Sequence, residues 1–221
     1  MIVHLASADV VPIALAVAFL LCAFLVSGKF RLGQIVRYFI LQSLFLTGLL
    51  VSLAVNVDKH LYYAAGLVLL FKVFIIPTII TQCAQRSAAT GRLTSFVRPA
   101  PSYFVSGATL LLSVLVAKAM VPALGEETDF ILEVTALAAM FLGGAMMAVR
   151  RDVYSQIIGF LTFENGITIL TVATLGALPL VADIGILITL TLSVWLFCLL
   201  SRRLKELYAV EDATRLHELV D

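Results

Sequence analysis

The run Val153-Tyr154-Ser155-Gln156-Ile157-Ile158-Gly159-Phe160-Leu161-Thr162-Phe163-Glu164-Asn165-Gly166 opens an apolar stretch that continues to Ala177. At about 1.5 Å per residue, it is long enough as a helix to cross a hydrocarbon core about 30 Å thick. Glu164 falls roughly 16 Å in from Val153, near the middle of such a slab. An acid at that depth costs about 2–3 kcal/mol on insertion scales, and such residues face a bundle interior or water and serve ion or proton movement.

The rest of the chain has the same character. Hydrophobic residues make up 62% and charged residues 13% of the 221 residues, and the mean hydropathy is +1.08. That balance excludes a soluble domain and predicts an all-α integral membrane protein. Apolar windows give seven transmembrane helices: Val10–Gly28, Val36–Val57, Leu61–Cys83, Tyr103–Pro122, Phe130–Val149, Val153–Ala177 and Asp183–Leu200. The segments are continuous apolar runs, not the alternating ten-residue units of a membrane barrel. No basic residues precede the first apolar run, so it reads as a retained helix and not as a cleaved signal.

The connections alternate in charge. Lys29, Arg31 and Arg37, then Arg86, Arg92 and Arg98, then Arg150 and Arg151, then Arg202, Arg203 and Lys205 share one side. Asp9, Asp58, Glu126, Glu127, Asp129 and Asp183 share the other, with Lys59 and Lys118 as its only cations. The positive-inside rule then places the N-terminus outside and the C-terminus in the cytoplasm.

Four parts follow. Residues 1–83 form an N-terminal three-helix unit, and 84–129 a basic loop plus a connecting helix. Residues 130–200 form a C-terminal three-helix unit, and 201–221 an amphipathic cytoplasmic tail with Leu204, Leu207, Tyr208, Leu216 and Leu219 at helical spacing. Ala84 to Ser102, with Pro99 and Pro101, reads as the longest loop. Laying Gln34-Ile35-Val36 over Gln156-Ile157-Ile158 brings Gln42 onto Glu164 and Ser43 onto Asn165. In that register the two three-helix units are parallel repeats.

Lys72 is the second costly residue, eleven positions into the third helix and too deep to snorkel. Pro77 removes the N–H that would bond the Val73 carbonyl, which predicts a kink beside Lys72. Burial favours the neutral form of a carboxyl or an amine, and an opposite charge nearby favours the charged form. Glu164 and Lys72 are therefore the candidate proton-transfer residues; the bland alternatives are a protonated carboxyl that bridges two helices for Glu164, and a structural ion pair or an ammonium bonded to backbone for Lys72. Asn165 is placed to hydrogen-bond the acid, and Gly159 and Gly166 to allow close helix packing. Gln42, Thr189 and Thr191 are weaker candidates for a polar path, since membrane hydroxyls commonly bond their own backbone. Glu133, three residues into the fifth helix near the outer face, reads as solvated or interfacial. Cys22, Cys83 and Cys198 read as packing residues, and no His/Cys grouping has metal-ligand spacing. No catalytic motif and no nucleic-acid signal is present.

The Ser155–Gly166 run, Lys72-Val73 followed by Pro77, Asp183-Ile184-Gly185-Ile186 and the basic stop after the last helix together resemble the hydrogenase-4 component E family. The resemblance covers most of the chain. It implies a membrane subunit of a group 4 nickel–iron hydrogenase or formate hydrogenlyase-like complex. It also implies a C-terminal unit similar to the K subunit of respiratory complex I and the C subunit of multisubunit cation/proton antiporters. In the complex I relative the acid stands where this chain has Leu161. The acid of that relative's last helix is replaced here by the carboxylate-free Ile188-Thr189-Leu190-Thr191.

The resemblance implies a prokaryotic cytoplasmic (inner) membrane location and a non-catalytic role in an oxidoreductase complex. Nickel–iron and iron–sulfur centres would sit on partner subunits, and none in this chain. Partners would be antiporter-like membrane subunits, hydrogenase-type peripheral subunits and the lipid bilayer. A cation/proton antiporter subunit without a redox partner, and a purely structural membrane scaffold, are the alternative readings.

Overall fold

The computed structural model describes residues 10–29, 31–56, 59–86, 99–124, 130–150, 152–176 and 180–217. Helices account for almost all of them, and no β-strand occurs among them. In chain order they are α1 (Val10–Ser27), α2 (Leu32–Asn56), α3 (below), α4 (Pro99–Leu124), α5 (Phe130–Val149), α6 (Val153–Leu175) and α7 (Leu180–His217). All seven are long and apolar enough to cross a membrane. Large apolar side chains such as Leu21, Phe74, Phe104, Leu115, Phe160 and Trp195 are exposed on the outside of the bundle. Helices apolar on every side are what a lipid solvent requires. Asp9, Asp58, Arg92, Arg98, Glu126, Glu127, Asp129, Arg151 and Leu219 lie outside the described residues.

Three features depart most from the sequence reading. α3 is α-helical over His60–Val68, π-helical over Leu69–Ile75 and α-helical again over Ile76–Arg86. The expected kink is thus a widened turn. In a regular helix the Pro77 ring would press on the Val73 carbonyl. Bonding of the Ile76 N–H to the Phe71 carbonyl, five residues back, relieves that crowding. Second, α4 begins at Pro99, so Pro99 and Pro101 belong to its first turn and not to the loop. Proline fits there because the first helical N–H groups have no intrahelical acceptor. Third, α7 continues without a break to His217, so the expected separate tail is an extension of the last helix. Nothing between Ile186 and His217 is glycine or proline, and no stop signal intervenes.

α5 sits among α1, α4 and α6 and is more buried than most of the others. Its contact with α6 is a backbone approach. A Cβ at Gly143 would stand 2.5 Å from both the Gly159 carbonyl oxygen and the Phe163 nitrogen. At Gly159 it would stand 2.9 Å from the Gly143 carbonyl oxygen, and at Gly166 2.6 Å from that of Ala136. Gly159 and Gly166 were expected in this role; Gly143, which completes the seam, was not singled out.

α6 starts at Asp152, whose carboxylate accepts from the Ser155 N–H at 2.7 Å. It ends at Gly176, which adopts a positive φ of 80°. The turn before α6 is tied to α1. Arg150, 1% exposed, donates through Nη2 to the Ser27 and Lys29 carbonyls at 2.6 and 2.7 Å. Those carbonyls lie at the C-terminus of α1, where acceptors are left over and the helix dipole favours a cation. Burial draws the guanidinium below its ordinary value and the nearby Asp152 opposes this. Arginine remains charged under both influences.

Two apolar clusters fill the interior. The first, at the basic-turn end, includes Ile35, Phe39, Ile76, Ile80, Ile158, Leu161 and Val194. The second, toward the other end, includes Phe19, Leu46, Leu53, Leu61, Ala136 and Ile169. Between them lie the buried polar residues Gln42 and Ser43 of α2, Lys72 of α3, and Thr162, Glu164 and Asn165 of α6.

Replacing Gly159 by leucine should lower unfolding stability by about 3 kcal/mol or force the helices apart. Gly144→Leu, where a Cβ meets open space, should be near neutral. Thermal unfolding of both variants in detergent checks this, and equal effects would remove the seam from the account.

Candidate functional site

The polar layer is built around Lys72. Its side chain is fully enclosed, and Nζ donates to Glu164 Oε2 and, at 2.7 Å, to Asn165 Oδ1. The π-helical turn that carries Lys72 offsets its side chain from the regular helical register of α3. The two acceptors are consecutive on α6 and clasp one ammonium from adjacent positions. Thr168, one turn further along α6, donates to the Glu164 backbone carbonyl at 3.1 Å and to Oε1 at 3.3 Å. Both carboxylate oxygens of Glu164 are therefore engaged, one by a cation and one by a hydroxyl.

Beside the pair lies a cavity of about 260 Å³. Its walls come from Leu61, Ala64 and Val68 of α3, from Thr168, Thr171 and Val172 of α6, and from Asp183 and Leu187 of α7. Lys72 and Glu164 also line it. Glu164 keeps 11% of its side chain exposed and Lys72 none, so of the two the acid is the more accessible. Asp183, read from the sequence as the start of the last helix on the acidic side, sits in the first turn of α7 and lines the same cavity. The spacing Glu164, Thr168, Thr171 was a legible clue, because steps of four and three residues mark one helical face.

The other candidates are placed as follows. Gln42 is fully buried and its Oε1 lies 3.4 Å from Thr162 Oγ1, whose shorter bond is to the Ile158 carbonyl at 2.9 Å. It adjoins the layer without a hydrogen bond to Lys72. Thr189 and Thr191 bond the carbonyls of Gly185 and Leu187 in their own helix and do not extend the path. Glu133 corrects the sequence reading: it is 1% exposed, not solvated. Its two oxygens find no hydrogen-bond partner among the described residues. The reason is that Glu133, with Leu132, lies on the inward face of the first turn of α5, whereas Phe130 and Ile131 of the same turn are exposed. Among the described residues no group of three His, Cys, Asp or Glu side chains is placed to hold a metal ion. Cys22 and Cys198 are buried and Cys83 partly so.

No protein-family model matches the chain, and no solved structure matches it. The chain is similar to the uncharacterized protein Rv0085 of Mycobacterium tuberculosis (strain ATCC 25618 / H37Rv). The two are 23% identical over 205 residues, 91% of this chain and 92% of that protein. That relative's name carries no activity.

Removing one member of a buried ion pair strands the other charge, which costs about 3–5 kcal/mol, while replacing both by neutral groups is close to neutral. Lys72→Met should therefore destabilise the protein by about 3 kcal/mol, and the added Glu164→Gln should restore most of the loss. Unfolding in graded denaturing detergent measures both, and a double variant as weak as the single one would contradict the pairing.

Proposed function

We propose that this chain is a membrane-arm subunit of a redox-driven, proton-translocating complex of the hydrogenase type. It contributes one segment of an intramembrane charge axis through Lys72 and Glu164. The observation that carries the reading is a fully enclosed ammonium at mid-span, held by a carboxylate that borders a cavity. A structural latch has no need of that opening. Ionisable groups buried at this depth are expensive and are characteristic of proton relays. Two coupled groups exchange protons as a unit, so a charge arriving beside one changes the occupancy of the other.

In this reading the chain is a multi-pass protein of a prokaryotic cytoplasmic membrane, with its N-terminus outside and its C-terminus in the cytoplasm, on the charge asymmetry of its loops. Redox chemistry falls to partner subunits that hold nickel–iron and iron–sulfur centres. Antiporter-like membrane subunits continue the axis on either side. A scaffold reading draws on the glycine seam between α5 and α6, which makes α6 a rigid mount. A cation/proton antiporter subunit would use the same pair, and sodium-dependent transport without a redox substrate would distinguish it.

Glu164→Gln in the assembled complex should reduce proton movement at fixed turnover by about an order of magnitude or more, the scale of a lost proton-transfer group. Proton release by intact vesicles, measured against substrate consumed, provides the test. Undiminished coupling would reject the relay and leave the scaffold.

A further inference from the structure

The two sides of the Lys72–Glu164 pair are unlike. Toward the basic-turn end it is sealed by Phe39, Ile76, Ile80, Ile158 and Leu161, each at or near zero exposure and packed in one cluster. Toward the opposite end the second apolar cluster joins α1, α2, α3, α5 and α6 but, among the described residues, does not extend to α7. Between α3, α6 and α7 lies the cavity of about 260 Å³, and α2 reaches it only through Leu50. The lining positions on α3 run from Leu61 to Lys72, about 16 Å of helix, all on the His60 side of the lysine.

We infer that this cavity is a one-sided aqueous half-channel that admits protons to Glu164 only from the end bearing the N-termini of α3 and α7, with Asp183 as its mouth carboxylate. The inference rests on the relay reading for its purpose, but its geometry stands apart from any partner complex. Liquid water takes about 30 Å³ per molecule, so the volume has room for a short file. Such water needs polar partners, and the hydroxyls of Thr168 and Thr171 with the carboxylates of Glu164 and Asp183 supply them along the wall.

The titratable groups facing this space are Lys72 from α3, Glu164 from α6 and Asp183 from α7. The proton inventory closes simply. Asp183 carboxylate takes a proton from hydronium at the mouth, leaving water, and passes it through water to Glu164 carboxylate, returning to its charged form. Glu164 becomes neutral and its ion pair with Lys72 is lost. The ammonium keeps its three protons and its bond to Asn165 Oδ1. Asn165 is thus a positioning residue that holds Lys72 while Glu164 is neutral.

Single cysteines in the full-length chain, in lipid nanodiscs and with Cys22, Cys83 and Cys198 replaced, test the channel. Ala64→Cys and Thr171→Cys should react with a water-soluble cationic thiosulfonate at least about tenfold faster than Ile80→Cys and Leu161→Cys, because thiol reaction requires water and thiolate. Two positions on different helices protect the test against one misfolded variant. Cavity positions no faster than the sealed ones would overturn the half-channel. Adding Asp183→Asn should slow the cationic reagent several-fold relative to a neutral one at Thr171→Cys, as expected when a focusing charge is removed. An unchanged ratio would overturn the role of Asp183. Open labelling with unimpaired coupling in Glu164→Gln would retire the relay and keep the channel; sealed labelling with lost coupling would do the reverse.

Discussion

The ammonium of Lys72 in the middle of a membrane-length helix sets the terms for everything around it. Left alone in hydrocarbon it would cost many kcal/mol, and it cannot snorkel out from that depth. The fold answers with a carboxylate and an amide oxygen at consecutive positions of one neighbouring helix. For these to meet, α6 must stand at a fixed rotation. The glycine seam supplies it: Gly159 and Gly166 face α5, and Glu164 lies roughly 140–160° around the helix from them, at 100° per residue. The acid is thereby turned away from α5 and toward α3 and α7. The π-helical turn of α3 performs the matching adjustment on the lysine side.

Above and below this layer the bundle is conventional. α2, α3 and α6 each run apolar, polar, apolar along their buried faces, and the breaks align at Gln42, Lys72 and Glu164. The departure is α7, which packs closely through Leu190, Val194 and Cys198 at one end but stands off at Asp183 and Leu187. An ion pair packed tightly on both sides would be inert. In the proposed relay, one open on a single side exchanges protons there while the other side holds the potential, and that asymmetry is what the proposal adds to the pair.

Much of the site was legible because its residues are costly where they stand. A carboxylate, a lysine and a proline inside membrane-length apolar runs have few physical explanations, and Glu164, Lys72 and Asn165 do converge. Asp183 was legible as the head of the last helix on the acidic side, but not as a wall of the cavity; only the antiparallel return of α7 sets it there with Thr171. Glu133 was misread. A position near the end of a span predicts solvent, but its place on the inward face of α5 overrides it. Thr189 and Thr191 follow the general habit of membrane hydroxyls and bond their own backbone.

The sequence by itself determined the seven apolar helices, their charge alternation and the depth of the expensive residues, because insertion energetics are read along the chain. Tertiary structure alone decided which faces meet. Whether Lys72 reaches Glu164, that the Pro77 strain is taken up as a π-helical turn, and on which side the pair is open all depend on helix rotations. Those are fixed by contacts between residues far apart in sequence, such as Gly143 with Gly159, and periodicity within a uniformly apolar helix does not encode them. A helix that is apolar on every side carries no moment to say which way it turns.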